Sequence, residues 1–207
     1  MPHRTQVLIL QHPLEVQHPK GTARLLHLSL PHSRLVVGEQ WNTQELHTLV
    51  HDAWPAACAN GKAKTSAWQQ PEPAPQCTLL LYPPSPQDPT LPLATPPAWA
   101  MADLAQLPAN AVVRLVVIDG TWRKSRKMLY LNPVLQQLPR LPLQNLPAGH
   151  YTIRKAHKPG QLSTLEASCA ALQQLEPENT ALPQLLHSMD ALQAHYAQQC
   201  TRKSSAD

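Results

Sequence analysis

The chain has no phenylalanine and only 14% charged residues, whereas 23 of its 207 residues are proline. That balance excludes an architecture of long polar helices and predicts short elements separated by proline-punctuated loops. The four cysteines, Cys58, Cys77, Cys169 and Cys200, lie far apart and form no C-x-x-C pair. Their spacing offers neither a zinc knuckle nor a clear disulfide framework, so reduced thiols with no bound metal are expected. No charged-then-apolar leader occupies residues 1–10, and no apolar run is long enough to span a bilayer, so a cytoplasmic protein without membrane contact is expected. There is no internal repeat, and no low-complexity tail beyond the polar residues 201–207. Residues 1–207 are read as a single domain, long enough to bury a substantial core, with no sign of an obligate protein partner.

What is present is positive charge gathered in one place. The formal net charge is +4 with eleven histidines, which agrees with an anionic partner. Between positions 119 and 158 stand Arg123, Lys124, Arg126, Lys127, Arg140, Arg154, Lys155 and Lys158 against Asp119 alone, a local balance of +7, so everything else sums to −3. Cations concentrated in this way are the pattern of a surface that meets phosphates.

Residues 112–133, VVRLVVIDGTWRKSRKMLYLNP, organise the rest of the chain. Val112, Val113, Leu115, Val116, Val117 and Ile118 form an apolar run broken only by Arg114, which predicts a strand covered on both faces, as in a parallel sheet. Asp119 closes the run. A carboxylate there is costly if buried unpaired, so it is expected at the strand mouth near solvent, helix amides or a bound group. Gly120 permits close backbone approach or a positive φ, and Thr121 can cap the helix that follows. In that helix Arg123, Lys124, Arg126 and Lys127 crowd the first half, where the macrodipole prefers anions, so a partner outside the helix is expected to use them. Asn132 and Pro133 stop it. Strand-to-helix turns of this kind are where open α/β sheets place their ligands.

Residues 6–10 (QVLIL) predict a first buried strand, followed by a loop at 11–19 whose His12 and His18 are either catalytic or ligand histidines or ordinary loop-edge residues. Residues 22–30 predict a short helix with Leu25, Leu26, Leu28 and Leu30 toward the core, its Arg24 on a solvated face or against RNA. A strand at 33–38, a helix at 42–54 with Thr43 near its start, a surface loop at 56–76, a strand at 77–82 and a helix near 98–106 lead into the central strand. Pro83, Pro84 and Pro86 force an extended turn after Tyr82. Beyond the basic helix, residues 134–138 predict one more turn, and 141–146 and 151–154 short strands that Pro142 and Pro147 place at an edge or end. Pro159 and Gly160 then break the chain, and Ser163 with Glu166 makes an S-x-x-E capping box ahead of a helix with Leu165, Cys169, Leu172 and Leu175 inward. The box has a purely structural use, but the same helix start would also offer amides to a cofactor. Residues 183–199 predict a final amphipathic helix with Leu185, Leu186, Met189, Leu192 and Tyr196 as its apolar stripe. This order of elements gives an α/β domain with a mostly parallel sheet flanked by helices.

The turn of Asp119, Gly120, Thr121 and Trp122 resembles the Asp-x-Thr-Trp signature of the DTW-domain family, the tRNA-uridine aminocarboxypropyltransferases, which are related to the knotted SPOUT methyltransferase superfamily. Three further stretches are similar to the family in the expected order: residues 11–28, residues 79–85 (LLLYPPS, with one proline beyond the usual pattern) and residues 151–166. The resemblance implies a SPOUT-like fold with a C-terminal trefoil knot, in which three loops hold S-adenosylmethionine. By matching motif these loops contribute Tyr82, Pro83 and Ser85, then Ile118, Asp119 and Gly120, then Leu162, Ser163 and Thr164. It further implies transfer of the 3-amino-3-carboxypropyl group to N3 of a uridine in tRNA, with release of methylthioadenosine. Asp119, Thr121 and Trp122 are the catalytic candidates. Asp119 either orients or deprotonates the uracil imide or holds the donor's ammonium, Thr121 fixes the turn or bonds the carboxylate, and Trp122 stacks on a base or packs. Arg24, Arg123, Lys124, Arg126, Lys127, Arg154, Lys155 and Lys158 are the candidate RNA contacts. Many family members carry a metal-binding-like cysteine cluster near the amino terminus; this chain begins downstream of that place, so no metal is carried over. The alternatives are a SPOUT-type RNA methyltransferase, which would expose the methyl instead, and a non-catalytic RNA-binding domain, which gains little from a carboxylate amid eight cations. A generic α/β protein whose turn merely starts a helix is the plainest alternative.

Overall fold

The computed structural model describes residues 4–18, 21–55, 73–75, 77–83, 87–141, 143, 162–182 and 184–186. Four strands, β1 (Gln6–Gln11), β2 (Ser33–Val37), β3 (Cys77–Leu81) and β4 (Val113–Asp119), form a wholly parallel sheet in the order β2-β1-β4-β3. Around it run α1 (Ala23–Ser29), α2 (Thr43–His51), α3 (Met101–Ala105), α4 (Trp122–Leu131), α5 (Pro133–Gln136) and α6 (Thr164–Leu175). The expected class, a parallel sheet flanked by helices, is what forms.

Continuous rather than alternating apolarity in β1 and β4 has its reason in two cores, one on each face. Val7, Ile9, Leu115 and Val117 meet Ala23 and Leu26 of α1 and Leu165, Cys169 and Leu172 of α6. Leu8, Leu10, Val116 and Leu80 meet Leu46 and Val50 of α2 and Met128 and Leu129 of α4. Each fully buried aliphatic side chain contributes about 1.5–3 kcal/mol of transfer free energy, so both faces must be covered. Arg114, the one interruption in the run, is fully buried. Its guanidinium donates to Gln6 Oε1 at 2.6 and 2.9 Å and to the carbonyls of Leu49 and Asp52 at 2.8 and 2.9 Å, and it lies 4.2 Å from the Trp54 ring. The cation thus sits at the negative end of α2, where the macrodipole favours it.

Several local expectations are corrected. Leu28 is 74% exposed rather than inward, because at 100° per residue it lies about 200° around α1 from buried Leu26. Helix α2 begins at Thr43 as expected, with Asn42 as its cap accepting from the Gln44 amide at 2.9 Å, but it stops at His51, not Trp54, whose ring turns into the core. Helix α3 is five residues long, since Pro96 and Pro97 keep the preceding chain extended and Asp103 reaches back to the Ala100 amide at 2.8 Å. Of the strand expected at 141–146, Leu141 and Leu143 are described and lie outside any strand. Arg140 makes a single parallel bridge to Leu80, held by Leu80 N–H to the Pro139 carbonyl and Leu141 N–H to the Leu80 carbonyl. Pro142 supplies no amide to continue the ladder. The strand expected at 151–154, residues 56–72 of the expected loop, most of the helix expected at 183–199, the 201–207 tail and the expected C-terminal knot fall outside the described residues.

The topology fixes where a ligand would lie. From β1 the chain passes through α1, on one face, to β2; from β4 it passes through α4, on the other face, to Arg140 beyond β3. The paths leave in opposite directions, so the carboxyl ends of β1 and β4 open a crevice at a topological switch point. Gln11 and Asp119 are register partners at that point.

Candidate functional site

Asp119 is the last residue of β4 and is buried, at 5% exposure. Its burial is compensated: Oδ1 accepts a hydrogen bond from Thr164 Oγ1 at 2.6 Å, and Oδ2 accepts one from Gln11 Nε2 at 2.9 Å. The Asp119 carbonyl also accepts from the His12 amide at 2.9 Å. The stabilisation of this carboxylate thus comes from two side chains of neighbouring elements, not from solvent or helix amides as expected. Gln11, read from sequence as the start of a loop, is in fact the last residue of β1.

The turn that follows is closely packed. A Cβ on Gly120 would stand 3.3 Å from Lys124 Cβ and 3.6 Å from His12 Cβ, so close approach, rather than a left-handed backbone, is what the glycine permits. Thr121 caps α4, its hydroxyl accepting from the Lys124 amide at 3.4 Å. Trp122 is 52% exposed, with its ring edge-on to Tyr82 at 6.1 Å between centroids. Tyr82 is buried, and its hydroxyl lies 3.4 Å from Ser125 Oγ. Ile118 is half-buried, and the Pro83 carbonyl accepts from Arg140 at 2.9 Å. At the start of α6, Ser163 and Glu166 form the expected capping box: the Ser163 amide donates to Glu166 Oε2 at 2.7 Å, and the Glu166 amide donates to Ser163 Oγ at 3.2 Å. Leu162 is half-buried beside it.

The described residues therefore bring together the end of β3, the β4 turn and the start of α6. Ser85 lies outside them, as do Arg154, Lys155 and Lys158.

The basic helix finds its countercharges within the chain. Lys124 Nζ meets Glu15 Oε1 at 2.9 Å, Arg126 Nε lies 3.5 Å from Asp88 Oδ2, and Lys127 Nζ meets Glu39 Oε2 at 2.9 Å. Three of the partners expected outside the helix are thus acids distant in the chain. Hydrogen bonds from Lys127 and then His12 hold Glu39 below the usual carboxylate range. His12 caps a 3-10 turn at Pro13–Glu15, its Nδ1 accepting from the Leu14 amide at 3.1 Å. That assigns the ring proton to Nε2, which faces Glu39 Oε1 at 3.0 Å. The ring is occupied in holding the loop. His18 is half-buried in the same loop, its amide donating to the Glu15 carbonyl at 3.1 Å. Arg24 and Arg123 are exposed on α1 and α4.

The residues that sequence reasoning missed here are Gln11, Glu15, Glu39 and Asp88. Only the register of a buried run ending in Gln11 with one ending in Asp119 could have suggested the first pair. Among the described residues no group of three or more His, Cys, Asp or Glu side chains can hold a metal ion, and no helix is long and apolar enough to cross a membrane.

Comparison with known proteins agrees with the turn. Residues 1–197 match the family defined as the DTW domain. The chain is similar to tRNA-uridine aminocarboxypropyltransferase 2 of Drosophila melanogaster, 29% identical over 191 residues that cover 89% of this chain and 63% of that protein. It is 27% identical to the protein of the same name in Mus musculus over 193 residues, and 24% identical to that of Macaca fascicularis over 196 residues. In both cases the match covers 91% of this chain and 53% of the relative. The chain thus spans between 53% and 63% of the length of these relatives. No solved structure matches it.

Proposed function

Because the chain belongs to the DTW domain family over nearly its whole length, we propose that it transfers the 3-amino-3-carboxypropyl group of S-adenosylmethionine to N3 of a uridine in tRNA, releasing methylthioadenosine. The single observation that carries the reading is the clamp on Asp119. A buried carboxylate stands at the switch point of a parallel sheet and is tied by Thr164 to the start of α6. The names of the relatives support the same reaction and the same RNA class.

The residues present fit such a donor. Its ammonium requires an anionic acceptor, and Asp119, with one hydrogen bond on each oxygen, keeps lone pairs for a cationic group. Main-chain groups at Pro83, Gly120 and Leu162 to Thr164 would hold the remainder. When bound, the sulfonium supplies three activated carbons, and the pocket decides which of them meets the nucleophile. The hydrogen bonds from Thr164 and Gln11 fix the orientation of the Asp119 carboxylate, which suits an anchor for the donor's ammonium. Trp122, exposed at the rim, offers a flat face to a base. Arg123 on the open side of α4 would meet RNA backbone. The chain is read as working in the cytoplasm on tRNA without a membrane or an obligate protein partner, on a SPOUT-like fold with a C-terminal trefoil knot.

The test is mass spectrometry of nucleosides from tRNA of cells with and without the protein. A uridine heavier by the aminocarboxypropyl group, present only with the protein, is expected. A uridine heavier by one methyl would move the reading to an RNA methyltransferase, and no difference would favour a non-catalytic RNA-binding domain.

A further inference from the structure

On the β3 side of the sheet lies a groove of about 420 Å³, within the roughly 300–1,000 Å³ range of small-ligand sites. Its walls are Tyr82, Leu93, Trp99 and the 94–98 segment with Pro96 and Pro97, and two guanidiniums, Arg126 and Arg140, face into it. The two are not equivalent. Arg126 has Asp88 beside it and donates to the Leu91 carbonyl at 3.0 Å. Arg140 donates to the Pro83 carbonyl at 2.9 Å and lies 5.1 Å from the Tyr82 ring, but no carboxylate among the described residues pairs with it. Burial, and then the like charge of Arg126, push the Arg140 guanidinium below its ordinary value, with Tyr82 acting the other way.

A partly desolvated cation beside a second cation is unfavourable unless an anion completes the site. Planar guanidinium forks match the paired oxygens of a phosphate, and Trp99 with the proline walls presents flat apolar faces. Resting on the reading of the chain as a tRNA-modifying enzyme, we propose that this groove binds a nucleotide of the RNA flanking the modified uridine, its phosphate on Arg140 and Arg126 and its base against Trp99. The groove adjoins the reaction site through Tyr82, whose ring touches Trp122 edge-on. It would fix which neighbour of the target uridine lies at the site, and so contribute to the choice of uridine.

The test compares the wild type with Arg140→Ala, Arg140→Lys and Trp99→Ala, using an unmodified tRNA transcript titrated at several salt concentrations and, separately, S-adenosylmethionine by calorimetry. Arg140→Ala is expected to weaken tRNA binding about fivefold or more and to reduce the slope of log affinity against log salt by about one, with Arg140→Lys restoring the slope. Trp99→Ala should weaken binding without changing the slope, and donor affinity should stay constant throughout. A loss of donor affinity with an unchanged tRNA slope would assign the arginine to the donor's carboxylate and overturn the proposal, as would no change in either. Should Arg140→Ala fail to fold in a thermal melt, Arg140→Gln, which can still bond the Pro83 carbonyl, carries the same comparison. A wild type that binds no tRNA sinks the reading of function itself, an outcome distinct from failure in the variants alone.

Discussion

Asp119 concentrates what single residues contribute. Replacing it by Asn keeps the shape and lets the amide oxygen accept from Thr164, while its NH₂ group meets Gln11 Nε2, a clash that the Gln11 amide relieves by flipping. The fold should therefore survive, and only the charge is lost. Asp119→Asn is expected to reduce transfer at least about a hundredfold, the scale of one preorganised electrostatic or proton-transferring group, with tRNA affinity within about twofold of the wild type. Equal loss of both in activity and binding assays would make Asp119 a structural residue. Its position, and those of Thr121, Ser163 and Glu166, were legible in the sequence because their partners lie within three residues or at the end of an obvious strand. Gln11 was not, because its carboxylate partner is 108 residues away and register alone joins them. Glu15 and Glu39 were hidden for the same reason: each meets the basic helix from a loop remote in sequence.

Elements were readable where apolar residues dominated a run, as in β1, β3 and β4, and where a cap announced a helix, as in α4 and α6. They were misread where chain direction depends on a tertiary contact. Leu28 looked like core because three neighbouring leucines are, and α2 looked longer because Trp54 is apolar; its ring instead folds back on the helix end, Nε1 donating to the Leu49 carbonyl at 3.1 Å, and lies against Arg114. Arg114 itself joins β1, β4 and α2, and its guanidinium lies against one side of the Trp54 ring while Arg34 lies 4.5 Å from the same ring. Arg114→Ala would strip donors from Gln6 Oε1 and from the carbonyls of Leu49 and Asp52, and open a cavity between sheet and helix. The expected loss is about 2–5 kcal/mol, the range for a large side chain cut to alanine in a packed core, with acceptors left short of a donor. Equilibrium denaturant unfolding measures it, and a change under about 1 kcal/mol would mean that water replaces the guanidinium without cost.

At the scale of the whole molecule, charge and closure decide behaviour. The surplus around the site is tempered by acids from elsewhere in the chain, so fewer cations are open to RNA than the sequence count suggests. Closure of the sheet side depends on Glu176, just beyond α6, which accepts from the amides of Arg4 and Thr5 at 2.9 and 2.7 Å, from the Thr5 hydroxyl at 2.7 Å and from Asn179 at 3.0 Å. Burial works to raise its pKa, but these donors outweigh burial and hold it below the ordinary 4.5. A carboxylate whose folded pKa is depressed stabilises the fold in full above its unfolded value and loses that contribution as pH falls through the lower folded value. The wild type should therefore melt above Glu176→Gln at pH 7, and the difference should shrink as pH drops below about 4.5, where the unfolded chain takes up the proton first and the fold only at lower pH. Paired thermal melts at the two pH values isolate this group, because every other carboxylate is common to both chains. A gap that persisted unchanged into acid would show that the segment before β1 is held by something other than the charge on Glu176.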